Sequence, residues 1–236
     1  EGFDKHNHSG MEAMLKAMWY AVIKNRPGNL TTSWKKAIEG VLDAYLGAVP
    51  SEFTYEGKSY TPKSFRDKLG LKMEDYVTLT SYTHHDFYES FVLEVADNWI
   101  GGSVYNLPLE EFTSEMEHAI MNGYSIAWAS DVSEKGFSFN NGLAIVPEDE
   151  KALTMSGKDN KHFNDAGAER KGTQFDSPGT EKKITQEMRQ EAFDNYSTTD
   201  DHGMHLTGIV KDQNGTKYYI VKTLGGQRTI AMDICM

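Results

Sequence analysis

An α+β fold, with a helical part first and an antiparallel sheet part last, is predicted by three features of this chain. Apolar residues recur at helical spacing over two early segments, Met11-Met14-Leu15-Met18-Val22 and Trp34-Ile38-Val41-Leu42-Tyr45. Two strand-like runs near the end, His202 to Val210 and Lys217 to Lys222, flank Asp212-Gln213-Asn214-Gly215, whose Asn-Gly is a strong hairpin signal. Helices and strands are segregated along the chain, whereas a doubly wound sheet would alternate them as βαβ units.

The first helix is expected to stop near Asn25-Arg26-Pro27-Gly28, where proline and glycine punctuate the chain. The second starts near Thr32-Ser33 and ends around Gly47, and the two apolar stripes are expected to pack on each other or on a shared partner. Phe53-Thr54-Tyr55 and Lys58-Ser59-Tyr60, separated by Glu56-Gly57, read as a small hairpin. Thr61-Pro62 then caps a short helix that stops at Gly70. Tyr76 to Thr80 suits a strand, Pro108 to Asn122 a helix, and Tyr124 to Ala129 a strand. Between Pro147 and Lys183 the composition turns polar and glycine-rich, which predicts a long, partly mobile surface excursion. A helix over about 185–195 follows, with Met188 and Phe193 as its expected anchors.

The chain has 236 residues, 39% of them hydrophobic and 11% aromatic, enough for a folded core. Its formal charge is -11, from 24 basic and 35 acidic residues, a field that repels phosphate backbones, so no nucleic-acid partner is expected. No apolar run approaches the roughly 18 residues of a membrane helix, so no membrane partner is expected either. That makes a soluble protein the expectation. Cys235 is the single cysteine, which rules out an internal disulfide and a thiolate metal cluster within one chain.

Candidate chemistry centres on Thr199-Asp200-Asp201-His202-Gly203-Met204-His205. His202 stands at the mouth of a predicted strand, a rigid position from which an imidazole faces a cleft, and Gly203 beside it permits close approach of another chain. The alternative is a surface or hydrogen-bonded histidine. A histidine base needs a nucleophile within reach and a third group to orient it, and neither is visible locally. A metal site made of His202, His205, Asp200 and Asp201 conflicts with strand geometry, because His-x-x-His points its rings to opposite faces. His84-His85 would add a ligand, but adjacent histidines in a turn read more readily as surface or packing residues, and His6-Asn7-His8 is weaker still. No cofactor and no metal are expected. Gly101-Gly102-Ser103 and Leu224-Gly225-Gly226-Gln227 lack the context of a phosphate loop.

The segment Asp201-His202-Gly203-Met204 followed by Lys211-Asp212-Gln213-Asn214-Gly215-Thr216-Lys217-Tyr218-Tyr219-Ile220-Val221-Lys222 closely resembles the histidine segment of papain-like cysteine peptidases of the aminopeptidase C and bleomycin hydrolase family, in the form common in Bacteroidales. Tyr60-Thr61-Pro62-Lys63-Ser64-Phe65, Leu79-Thr80-Ser81-Tyr82-Thr83-His84-His85, Ala127-Trp128-Ala129-Ser130-Asp131-Val132-Ser133-Glu134-Lys135-Gly136 and Thr185-Gln186-Glu187-Met188-Arg189-Gln190 also look like that family, as does Gly40 to Gly47. The resemblance covers nearly the whole chain up to Lys222.

That resemblance implies an incomplete papain-like peptidase domain over 1–236: a helical insertion region at 1–75, a mixed part carrying the histidine strand at 76–222, and a divergent tail at 223–236. His202 is implied to be the family's general base and acid. The family's nucleophilic cysteine and a glutamine lie upstream of anything matched here, so this chain is expected to be a carboxyl-side fragment, inactive alone. In Lys222-Thr223-Leu224-Gly225-Gly226 threonine takes the place of the asparagine that orients the imidazole, and glycine that of the shielding tryptophan. Cys235, in a tail without a helix start, is not expected to substitute as nucleophile. The intact family hydrolyses amino-terminal peptide bonds, so the implied partners are a peptide substrate and the chain's own missing amino-terminal portion. Intact relatives look like self-compartmentalising hexamers, and a homo-oligomer is open for this chain. Cytoplasm and export from a bacterium are both open. A non-catalytic peptide-binding or structural remnant, and one half of a two-chain peptidase, stand as alternatives.

Overall fold

The computed structural model describes residues 5–25, 28–96, 98–149, 154–156, 169–171, 175–200, 202–223 and 229–232, and it divides into two units, Glu1–Tyr76 and Val77–Met236.

The first unit opens with helix α1 (His8–Lys24), capped by the Asn7 side chain, which accepts from the Gly10 N–H, and continues with α2 (Ser33–Leu46). As the apolar stripes predict, these helices meet: the Tyr45 hydroxyl lies 3.2 Å from Met14 Sδ, and the Trp19 and Trp34 rings are 5.6 Å apart. Strands β1 (Phe53–Tyr55) and β2 (Lys58–Tyr60) form the expected hairpin. Its turn residues Glu56 and Gly57 both have positive φ, 50° and 74°, the conformation whose twist matches that of the strands. In α3 (Pro62–Leu69), Thr61 and Ser64 cap each other reciprocally and Gly70 ends the helix at φ 65°. Phe65 on α3 packs edge-on against Phe53, Tyr55 and Tyr60, and Lys68 lies over Tyr55.

The second unit begins with a three-stranded sheet of β3 (Leu79–Thr80), β4 (Ser90–Val92) and β5 (Ser103–Asn106), ordered β3-β5-β4. The strand expected over 76–80 is thus reduced to its last two residues. A 3-10 turn at Met73–Asp75 precedes it, and Tyr76 and Val77 are largely exposed without a pairing strand. Buried Asn106 ties the 82–86 loop down, accepting from the Tyr82 N–H and donating to the carbonyls of Tyr82 and His85.

After α4 (Leu109–Met121) come β6 (Ile126–Ser130), β7 (Phe137–Ser138), β8 (Leu143–Ala144), β9 (Thr154–Ser156), β10 (Glu169–Lys171), α5 (Gln186–Asp194), β11 (His202–Lys211), β12 (Lys217–Thr223) and β13 (Thr229–Met232). The strand expected from Tyr124 starts at Ile126 instead, because the Tyr124 N–H closes the end of α4 by donating to the Ala119 carbonyl. Six strands make one sheet, β6-β11-β12-β13-β8-β7, antiparallel except for β13 beside β8. Of the polar excursion, the described part includes the β9–β10 pair and a base closed by Glu181. One Glu181 oxygen accepts from the Val146 N–H and the other from the Tyr218 hydroxyl.

A bulge at Thr207 shifts the β11–β12 register between Leu206 and Gly208, so Leu206 faces Val221 and Ile209 faces Tyr219. The bulge keeps apolar residues on one face despite their odd spacing. Against that face lie Trp128, Met204, Leu206, Val221 and Ile230, with Phe112 and Met116 of α4 in the same core. Leu206, Val221 and Ile230 are fully buried, each worth roughly 1.5–3 kcal/mol relative to exposure. Ile230, inside the segment expected to be a divergent tail, stands opposite Val221 in β13.

Candidate functional site

His202 is the first residue of β11 and pairs across the sheet with Ser130, the last residue of β6. Side-chain alternation puts His202 on the face of Met204 and Leu206, half-buried, while Gly203 and His205 lie exposed on the other. The period of two that disfavours a shared His202–His205 metal site therefore holds in the structure. A Cβ on Gly203 would meet nothing within 4 Å, so the face of β11 opposite His202 is open at that position among the described residues.

The chain entering β11 is strapped to the turn that leaves β6. Asp131, only 2% exposed, uses one carboxylate oxygen to accept from the N–H and hydroxyl of Ser133 and the other to accept from the N–H and hydroxyl of Thr199. Glu134 accepts from the Thr198 hydroxyl beside it. On the other side, the N–H groups of Ser197 and Thr198 both donate to the Ala192 carbonyl at the end of α5. His202 thus begins a strand whose approach is fixed from two directions. Sequence reasoning did not single out Asp131. Its Asp-x-Ser spacing signals a local Asx turn, but nothing in the sequence signals the bonds to Thr199.

Thr223 closes β12 opposite Met204, two positions along β11 from His202. Asp201, Gly225, Gly226 and Cys235, and the side chain of Thr223, lie outside what the structure describes. Among the described residues the Ser130 hydroxyl is buried and without a hydrogen-bond partner, as is the indole N–H of Trp128 on the same strand face. Ser130 and His202 are therefore cross-strand neighbours without being a hydrogen-bonded serine–histidine couple.

His84 and His85 are placed as packing groups. His84 stacks on Phe193 with the rings 5.2 Å apart and contacts the Gln190 amide at 3.1 Å, and His85 stacks on Phe91 at 4.0 Å. His6 and His8 contact each other near the start. Among the described residues no group of three or more His, Cys, Asp or Glu can hold a metal. With one cysteine in the sequence and none among the described residues, no thiol stands beside His202 there.

Helix α5 is anchored differently from the expectation. Phe193 does pack, against Tyr82 and His84, but the buried residue is Gln190 and Met188 is only half-buried. Gln190 accepts from the Thr83 N–H and donates to Asp194, while Gln186 accepts from the Ser81 hydroxyl and the Leu109 N–H. Arg189 donates Nε to the Ser81 carbonyl and lays its guanidinium over Tyr82. Beside this helix a cavity of about 410 Å³ is lined by Tyr82, Glu134, Val146, Met188, Arg189 and Phe193 among others.

No family model matches this chain, and no curated protein matches it. No described helix is long and apolar enough to cross a membrane. Its fold is similar to that in the crystal structure of pepw from Lactobacillus rhamnosis HN001 (DR20), determined as the selenomethionine derivative. The TM-score is 0.61 at 15% identity, over 98% of this chain and 54% of that one. This chain spans about half the length of that protein. At such low identity the likeness is one of fold: an α+β arrangement with helices first and mixed sheets after, shared over almost all of this chain.

Proposed function

We propose that the chain is the carboxyl-side portion of a papain-like cysteine aminopeptidase of the bleomycin hydrolase type, with His202 as its base and proton donor. The observation that carries this reading is the position of His202: it opens a strand paired on both sides, half-buried, with its approach strapped to Asp131. The fold likeness to pepw across 98% of the chain supports it, as does the match of motifs up to Lys222.

In the complete site a thiol supplied by a preceding portion loses its proton to the His202 imidazole and attacks the amino-terminal peptide carbonyl. The imidazole then gives that proton to the departing amine, and water releases the acyl group. Thr223, shorter than the family's asparagine and without its amide, leaves the ring less firmly oriented. Alone the chain has no nucleophile for this route, because Cys235 is its single thiol and follows β13 near the end of the sequence.

The test is an amino-terminal hydrolysis assay on the chain alone and on the chain combined with a preceding segment bearing the glutamine and cysteine. The reading expects no turnover in the first case and, in the second, turnover that is thiol-sensitive and lost in His202→Ala. Thiol-sensitive turnover by the chain alone, abolished by Cys235→Ser, sinks it.

A two-chain arrangement is favoured by the surface of α1, where Trp19, Tyr20 and Ile23 are 45%, 54% and 73% exposed. Under that reading the isolated chain self-associates until the preceding segment covers this face. A monomer that resists dilution on size exclusion counts against it.

A further inference from the structure

We propose that the cavity beside α5 is a binding site for a carboxylate attached to an apolar body, with Arg189 as its anchor. This site is separate from His202, which does not line the cavity, and it stands whether or not the hydrolytic reading does.

Arg189 is half-buried and its guanidinium is already oriented. Its Nε donates to the Ser81 carbonyl at 3.1 Å, and its plane lies 4.9 Å from the Tyr82 ring centre and 5.7 Å from that of Phe112. Its Nη groups make no hydrogen bond and no ion pair among the described residues. In a chain carrying 35 acidic residues against 24 basic ones, a fixed guanidinium with no carboxylate partner among the described residues is a group suited to take one from a ligand. Arginine's planar fork matches a carboxylate bidentately, and a group held in place by stacking loses little freedom on binding.

The rest of the wall fits the same ligand. Lys135, exposed and without an ion pair among the described residues, adds a second cation, and Glu134, the carboxylate at the cavity, is engaged by the Thr198 hydroxyl. Val146, Pro147, Met188 and Phe193 supply apolar surface for a side chain. The volume, about 410 Å³, lies in the roughly 300–1,000 Å³ range of small-ligand sites. A carboxylate of this kind comes either from the free end of a short peptide or from an acidic side chain.

The experiment is calorimetric titration of the full chain with N-acetylated apolar dipeptides in three forms: a free carboxyl end, a carboxamide end, and a carboxamide with glutamate as one residue. The free acid is expected to bind about tenfold or more tightly than its amide, the discrimination of a charge-assisted hydrogen bond. Binding of the glutamate peptide on a par with the free acid assigns the site to acidic side chains, and its failure assigns the site to chain ends. In Arg189→Gln the free acid should bind no better than the amide, while Arg189→Lys should keep part of the preference. The comparison of acid with amide on the unmodified chain needs no variant, so a misfolded Arg189→Gln leaves the proposal open to refutation. Equal binding of acid and amide, binding of neither, or an undiminished preference in a folded Arg189→Gln overturns it.

Discussion

Asp131 holds Thr199 through a single carboxylate oxygen, which accepts the Thr199 N–H at 2.8 Å and its hydroxyl at 3.3 Å, across 68 positions of sequence. The other oxygen is occupied by Ser133, so neither side of the carboxylate is spare. Asp131→Ala removes every hydrogen bond made to a buried carboxylate and should cost about 2 kcal/mol, read as a lower urea midpoint. Asp131→Asn should cost less, since the amide oxygen keeps one set of partners. In both variants amide exchange at Thr199 should quicken before exchange in the β11 interior; unchanged exchange there would show that the strap does not hold the strand entrance.

Ser130, the cross-strand neighbour of His202, carries a hydroxyl that is buried and unbonded among the described residues. Burying such a group without a partner costs about 1–3 kcal/mol, so Ser130→Ala should leave stability unchanged or raise it. A fall of more than about 1 kcal/mol in thermal unfolding, beyond the usual range for a neutral exchange, would mean that the hydroxyl has a bonded partner.

Two glycines near the site make opposite predictions. A Cβ on Gly136 would lie 1.7 Å from the Ile145 carbonyl oxygen, a backbone atom that cannot rotate away. Gly136→Ala should therefore destabilise on the order of 4 kcal/mol, at the severe end for single substitutions. Gly203, next to His202, has open space around it, and Gly203→Ala should fall within about 0.5 kcal/mol of the parent. Chemical denaturation of both variants checks the contrast. A costly Gly203→Ala would reveal a neighbour at that face.

The contrast between these positions shows what was legible in the sequence. The helices and hairpins rest on local chemistry, and they sit close to their expected bounds: the reciprocal Thr61–Ser64 cap, Gly70 at positive φ, and the turn ending in Gly215 are decided by residues a few positions apart. The opposed faces of His202 and His205 follow from strand period alone. Asp131 and Thr199 meet because β6 and β11 pair, a relation with no local signature. Helix α5 departs from its expected anchoring for the same reason. Phe193 packs as the apolar pattern predicts, yet Gln186 accepts from the Ser81 hydroxyl and Gln190 from the Thr83 N–H, partners over 100 positions earlier. The strand at 76–80 shrank because β propensity without a pairing partner does not make a ladder.

Glu187 in the first turn of α5 has its carboxyl held below the usual range, chiefly by its own backbone N–H and then by the Thr185 hydroxyl, with slight burial opposing. A carboxylate whose folded pKa is depressed contributes stability above its unfolded value, here about 4.5, and the contribution is lost as pH falls through the folded value. Glu187→Gln should therefore melt at a lower temperature than the parent at pH 7. The gap should close in acid. A gap that persists at pH 2 would assign the effect to packing rather than charge.

The Gln190 amide has three simultaneous duties: its oxygen accepts the Thr83 N–H at 2.6 Å, and its nitrogen reaches His84 Nδ1 at 3.1 Å and Asp194 Oδ1 at 2.8 Å. The residue is 8% exposed, so water cannot readily take over any of these. Gln190→Leu keeps the volume and removes the hydrogen bonds that a buried amide makes to Thr83, His84 and Asp194, which should cost about 2 kcal/mol. Gln190→Glu separates the duties. It retains an acceptor for Thr83 but sets a second carboxylate against Asp194, so its stability should recover as falling pH relaxes the like-charge repulsion, whereas that of Gln190→Leu should not. Urea midpoints of the two variants at pH 7 and pH 4 measure the difference. Because His84 stacks on Phe193 and touches the same amide, its ring resonances should shift in both variants, and an unmoved His84 signal would show that the histidine is held by stacking alone.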